Sequence, residues 1–259
     1  MSKKCFLTLD PETELVDFLK QERCDTYYHY TTLETFKKIL ESKKLRFTRG
    51  DSVTLNDLHE CDEKGLKELH QRSYIACFTT RFDESIAMWK LYSNGNPNVV
   101  RIQMSSEIVR KWLDEASIAM SSCEMPLLIK ESERFLSDIS YVRLLENLDR
   151  IQFTWRNKNC TKTFKNGMDK KPCFTSLLKN ISWAYEQETR AIIRLPEDVQ
   201  TKCLYIDVPL SEELISSFEI LIGPEFESAK LKSLRNLCSR NNIKSITMSQ
   251  VYHKVNFKK

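Results

Sequence analysis

The 259-residue sequence holds only five glycines. Neither GxGxxG nor GxxxxGK[ST] can be drawn from it, which excludes a Rossmann dinucleotide loop and a P-loop. Its nine cysteines include no CxxC pair, and their number is odd. That argues against a zinc ribbon, and a disulfide framework does not fit. No apolar run approaches the length of a membrane span, and the opening MSKKCFLTLD has no apolar h-region. The formal charge of +4 is small for this length and does not by itself indicate nucleic acid, although it is compatible with a local basic patch. No internal repeat or low-complexity segment interrupts the chain. Together these features predict a cytoplasmic protein with free thiols and no membrane association.

What is present suits a folded domain. Hydrophobic residues make up 41%, enough for a sizeable core. TYYHYTT (26–32) is rich in β-formers and reads as a strand. Thr32 is placed to cap a helix whose apolar face is Leu33, Phe36, Ile39 and Leu40. KLRFT, YIACFT and VVRIQM read as strands, residues 84–92 as a short helix, and SNGNPN as a turn. SSEIVRKWLDEA and SERFLSDISYVRLLENLDRIQF both read as amphipathic helices. Strands return in RAIIRL, CLYIDV and FEILIG, followed by a helix over 228–240 and a last strand, KSITMS. Strands at both ends with helices between them predict a single α+β domain over 1–259. Its sheet is mixed or antiparallel, and a helical insertion spans 105–175.

Four constellations carry chemistry. In YHYT, a histidine flanked by aromatics is either a core imidazole or a ring that bonds a substrate hydroxyl beside a stacking tyrosine; the candidates are His29, Tyr30 and Thr31. In LNDLHE, Asn56 and Asp57 suit turn and cap chemistry, and Glu60 falls in the first turn of the following helix. In SIAMWKLY, Met88, Trp89 and Tyr92 form either core or the wall of a pocket for a flat ring. The fourth is WAYEQETR. As a strand it would point Glu186, Glu188 and Arg190 to one side, and as a helix the two glutamates would diverge; because RAIIRL reads as a strand, the carboxylates are expected at a turn entering it. Two enclosed carboxylates repel, which raises one pKa, and the arginine lowers it again. A carboxylate held in this way can bond a sugar hydroxyl and stabilise positive charge at the adjacent carbon. The plain alternative is a salt-bridged strand edge.

The order YHYT, LND..E, CF, MW..Y, W.YE.E.R, IGP resembles the bacterial family called domain of unknown function 2971, over roughly residues 27–252. Two features depart from that family: Leu58 stands where it has proline, and Gly95-Asn96-Pro97-Asn98 stands where it shows His-x-Gly. More loosely, YHYT with the later Glu186-x-Glu188 resembles ADP-ribosyltransferase-like proteins, including the DNA-modifying toxins of that superfamily. This resemblance implies an ADP-ribosyltransferase-like fold that consumes NAD as transferase or glycohydrolase, in a toxin or phage-defence effector. Glu188 would then be the catalytic carboxylate and Glu186 would handle the acceptor, a macromolecule of unspecified kind. His29, Tyr30, Thr31, Asn56, Trp89, Tyr92 and Arg190 would bind the dinucleotide, with no metal required.

Two other readings stay open. One is a non-catalytic module binding a nucleotide or nucleic acid through the lysine-rich stretch 158–171, whose plain reading, over 157–172, is an exposed loop or a loose helix. The other is a metal-dependent nuclease built on Asp57, Glu60, Glu186 and Glu188.

Overall fold

The computed structural model describes residues 24–52, 67–117, 132–142, 153–157, 160–164, 178–196 and 202–252. In chain order the first elements are β1 (Thr26–Thr32), α1 (Leu33–Ser42), β2 (Lys44–Arg49), α2 (Lys67–Arg72), β3 (Ser73–Thr79), α3 (Ile86–Ser93), β4 (Val99–Ser105) and α4 (Ser106–Glu115). The middle is made of β5 (Glu133–Asp138), β6 (Ser140–Val142), β7 (Phe153–Asn157), β8 (Cys160–Phe164), β9 (Leu178–Asn180), a 3₁₀ helix (Ile181–Glu186) and β10 (Glu188–Arg194). Last come β11 (Tyr205–Pro209), α5 (Glu212–Ser216), β12 (Glu219–Ile222), α6 (Ser228–Arg240) and β13 (Ser245–Met248). The architecture is α+β with mostly antiparallel pairing. The chain divides into two compact units: Met1–Arg23, Arg46–Cys77 and Ser117–Asp207 form one, and Cys24–Leu45, Phe78–Ala116 and Val208–Lys259 form the other.

The second unit is built on β1. Its seven residues pair antiparallel with β4, from Thr26 opposite Ser105 to Thr32 opposite Val99. On its other side β1 meets the end of β3, with Tyr28 opposite Thr79. β4 continues antiparallel to β12, and β12 runs parallel to β13. Thr32 ends the strand and starts α1, because its hydroxyl accepts the Thr35 amide and supplies one of the partners a helix N-terminus lacks. The face of α1 that turns inward is Leu33, Phe36, Ile39 and Leu40, as its periodicity predicts. The Gly95–Asn98 loop has a structural task. The Asn98 carbonyl accepts the Leu33 amide, and the Asn98 side chain exchanges hydrogen bonds with the Glu227 amide and carboxylate. One buried asparagine thus ties the start of α1 to the start of α6.

The first unit centres on β10, which is buried on both faces from Glu188 to Ile193. It pairs antiparallel with β5, from Thr189 opposite Asp138 to Arg194 opposite Glu133, and it also pairs with β3. β6 runs parallel to β9, and β7 pairs antiparallel with β8. Ile75, Ile139 and Ile192 form a small apolar cluster, with Cys77 and Tyr141 packed against it.

Several expectations for this unit need correction. Residues 132–153 read as a long amphipathic helix, yet 133–138 and 140–142 are strands. The stretch 160–164, read as loop or loose helix, is the strand β8. The helical insertion over 105–175 is therefore helical only at α4 among its described residues. The reason is tertiary. β10 is buried on both faces and needs a pairing partner for its backbone groups, so β5 takes the extended form against its own helical pattern. Cys24, Cys77 and Cys238 are free thiols, whereas Cys203 is disulfide-bonded, a departure from the expectation of free thiols throughout.

Gly223 shows how tightly the second unit is packed. A Cβ there would meet the Val99 carbonyl oxygen at 2.9 Å and the Trp89 ring at 3.3 Å. Its amide already donates to that same carbonyl. Gly223→Ala is expected to destabilise the fold by about 1–3 kcal/mol, because backbone cannot yield as a side chain can. Equilibrium denaturation in urea would read this as a lower midpoint with an unchanged slope.

Candidate active site

The opening of β10 is shaped by one backbone choice. The 3₁₀ helix closes at Glu186, and Gln187 takes the left-handed conformation, with φ 44° and ψ 52°. That single residue turns the chain sharply, and β10 begins at Glu188. The two glutamates flank the turn and converge on one cation. Lys179 Nζ donates to Glu186 Oε2 at 2.7 Å and to Glu188 Oε2 at 3.0 Å. Arg190, two residues along the same strand face, donates through Nε to Glu188 Oε1 at 2.7 Å. Lys179, Glu186, Glu188 and Arg190 are each at most 5% exposed.

Two residues that the sequence reading did not assign to the site complete the arrangement. Tyr141 stands opposite Lys179 in the parallel β6–β9 pair, and its hydroxyl accepts the Glu188 amide at 2.7 Å. Cys77 bonds the Glu188 carboxylate from β3. Lys179 and Tyr141 belong to no motif that periodicity or spacing can flag, and Cys77 enters only as the first residue of CF, with no role attached. The only signal for Lys179 was its position just before the aromatic run of WAYEQETR.

The environment pushes the two carboxylates apart. Burial favours the neutral form of both. At Glu188 the charges of Arg190 and Lys179 together outweigh burial and bring its pKa down to about 2. At Glu186 burial prevails over the Lys179 contact, and the pKa is raised. Lys179 is held above its usual value, because the two glutamates outweigh the burial that would lower it. Burial raises the Cys77 thiol and the Tyr141 phenol, so both stay protonated at neutral pH. One carboxylate is thus a fixed anion, and the other has a strengthened hold on a proton.

The candidates of YHYT and MW..Y lie in the second unit. Strand alternation separates neighbours in YHYT. Tyr30 shares a face with Tyr28 and, through register, with Arg101 and Gln103, whereas His29 shares the opposite face with Thr31, Ile102 and Val100. His29 lines a small apolar space with Phe78, Met104, Trp112 and Phe218, and its ring lies 5.8 Å from that of Phe78. Tyr30 meets Trp89 edge-on at 4.7 Å and stacks on Tyr92 at 6.2 Å. Trp89 is buried, and its indole N–H donates to Glu84. Trp183 is half-buried, and Lys179 Nζ lies 4.8 Å from its ring centre. A 3₁₀ turn buries only its last residue, Glu186, and leaves the aromatics at its rim. Asn56, Asp57 and Glu60 lie outside the described residues.

The charge network ties stability to pH. Glu188 is depressed from 4.5 to about 2, so its contribution is fully present above pH 4.5 and is lost as pH falls toward 2. Glu186 acts in the opposite sense, its burial cost being relieved on protonation, so the loss is expected to be steeper in Glu186→Gln. Lys179→Met leaves two buried carboxylates without their shared cation. It should cost about 3–5 kcal/mol at neutral pH, read by denaturant titration, and Lys179→Met with Glu186→Gln should recover part of that.

No protein-family model matches the chain. No curated protein matches it. Among solved structures, the chain is similar to the DarT of Thermus sp. 2.9 in complex with NAD+, at 10% identity and a TM-score of 0.39, over 90% of this chain and 99% of that one. The same protein in complex with carba-NAD+ gives 10% identity and a TM-score of 0.35, over 88% of this chain and 96% of that one. Its complex with ADP-ribosylated ssDNA gives 11% identity and 0.38, over 91% of this chain and 100% of that one.

Proposed function

We propose that the protein is an ADP-ribosyltransferase-like enzyme that consumes NAD by breaking the bond between nicotinamide and ribose. The observation that carries this reading is the turn at Gln187, which brings Glu186 and Glu188 to one lysine with their pKa values displaced in opposite directions. Paired carboxylates separated in this way divide the work of acid–base and electrostatic catalysis. Glu188 is the standing anion. As nicotinamide departs, positive charge grows on the ribose C1′ and ring oxygen, and an anion already in place stabilises it without reorganising. Arg190 is the positioning residue that fixes Glu188. Glu186, with the higher proton affinity, takes the proton of the incoming acceptor or water.

The acceptor is a macromolecule, protein or nucleic acid, and the setting we propose is a toxin or phage-defence effector. The nuclease reading is weakened at its own ligands: the point between Glu186 and Glu188, where magnesium would need to sit, is taken by the Lys179 ammonium.

Consumption of a fluorescent NAD analogue tests the reading. Glu188→Gln should lower turnover by about 10²–10³, because the amide keeps the shape and loses the charge. Binding of the dinucleotide should persist. Glu186→Gln should reduce transfer to an acceptor and spare hydrolysis. Chelator should change neither activity. Circular dichroism on each variant separates loss of chemistry from loss of fold. Full turnover in folded Glu188→Gln would sink the assignment.

A further inference from the structure

Arg101 is buried without a counter-charge among the described residues. It lies in the middle of β4, is 7% exposed, and faces the same way as Tyr28 and Tyr30. One guanidinium N–H donates to the Phe82 carbonyl at 3.0 Å, and its Nε is enclosed with no acceptor. The guanidinium carbon sits 4.4 Å from the centre of the Tyr28 ring and 5.9 Å from that of Tyr30. No carboxylate pairs with it among the described residues. Glu84 and Glu219 act electrostatically on these tyrosines, yet both are engaged elsewhere. Glu84 accepts from the Trp89 indole, the Ser249 hydroxyl and the Gln250 amide, and Glu219 accepts from Gln103. A second arginine in the same unit, Arg81, also has an enclosed Nε without an acceptor, and it adjoins the residue whose carbonyl Arg101 holds.

An enclosed cation with spare donors is costly, and a ring face offsets that cost only in part. An anion would offset the rest. A guanidinium offers a planar fork that matches two oxygens of a phosphate. Phe82, whose backbone carbonyl Arg101 holds, is 76% exposed and so offers an apolar ring to solvent on the residue that Arg101 anchors. Phosphate and aromatic base in one molecule suit that combination. We infer that Arg101, supported by Arg81, anchors a phosphate-binding subsite for a nucleotide, with Phe82 as the surface on which its base stacks. The inference rests on the dinucleotide reading only for which nucleotide fills the subsite.

Calorimetric titration and thermal melting with ADP, inorganic phosphate and adenosine as separate probes test it. ADP should bind the wild type and raise its Tm. Arg101→Met should weaken ADP and phosphate by about tenfold or more and leave adenosine unchanged, whereas Phe82→Ala should weaken adenosine and ADP. Free of ligand, Arg101→Met should melt at or above the wild type, because an uncompensated buried charge has gone. Should that variant not fold, Arg101→Lys keeps the charge without the planar fork, and it too should lose ADP affinity. ADP binding that is undetectable in the wild type, or equal in the folded Arg101 variants, overturns the inference. So does a lower ligand-free Tm with ADP affinity unchanged, which would leave Arg101 as an anchor of the Phe82 loop. NAD turnover is measured apart from these titrations. Arg101-dependent ADP binding with a fully active Glu188→Gln keeps the subsite and discards the transferase, and the reverse pair of results does the opposite.

Discussion

A single ammonium group organises the first unit's polar centre. Lys179 holds Glu186 and Glu188 together, and its charge offsets part of the cost of enclosing both carboxylates. The network then extends in two directions. Arg190 fixes Glu188 along its own strand, and Tyr141 receives the backbone amide where β10 begins. The apolar cluster of Ile75, Ile139 and Ile192 packs with Tyr141 and Cys77, so the charged groups rest on a dry floor. Low polarity strengthens each of these attractions and raises the cost of removing any partner. The result resembles a stability device as much as a reactive one, because the groups that shift the pKa values also hold the strand start in place.

Most of the second unit was legible from periodicity. Thr32 as cap, the inward stripe of α1 and the strand alternation of TYYHYTT are local properties, and local properties survive into the fold. The opposite facing of His29 and Tyr30 was also implicit in that alternation. Their grouping as neighbours in one site followed the linear motif instead of the pleat. What stayed hidden was non-local. Nothing in residues 133–142 announces that β10 needs an antiparallel partner, and their spacing of apolar residues fits a helix as well. Lys179, Tyr141 and Cys77 come from three separate stretches, and only strand register makes them neighbours of Glu188.

The pair Glu186 and Glu188 was visible as a motif, and the strand character of RAIIRL placed it at a turn entering β10, but the form of that turn was not legible. A continuous strand would have sent both side chains to one side. The 3₁₀ helix ending in a left-handed residue brings them together by another route, through convergence on a shared donor. The spacing mattered, though for a different geometric reason than the one that made it noticeable.

Gln187 has a consequence for how this part of the chain can vary. A residue with a side chain in the left-handed region is held there by its surroundings and not by preference. The separation of the two glutamates is therefore a gauge length set by one peptide hinge. Insertions elsewhere can be absorbed as longer loops, but one extra residue between Glu186 and Glu188 would advance the strand by a full pleat. That would turn Glu188 to the opposite side of the sheet. The link between them is one of the few places in the chain where the count of residues, more than their identity, defines the arrangement.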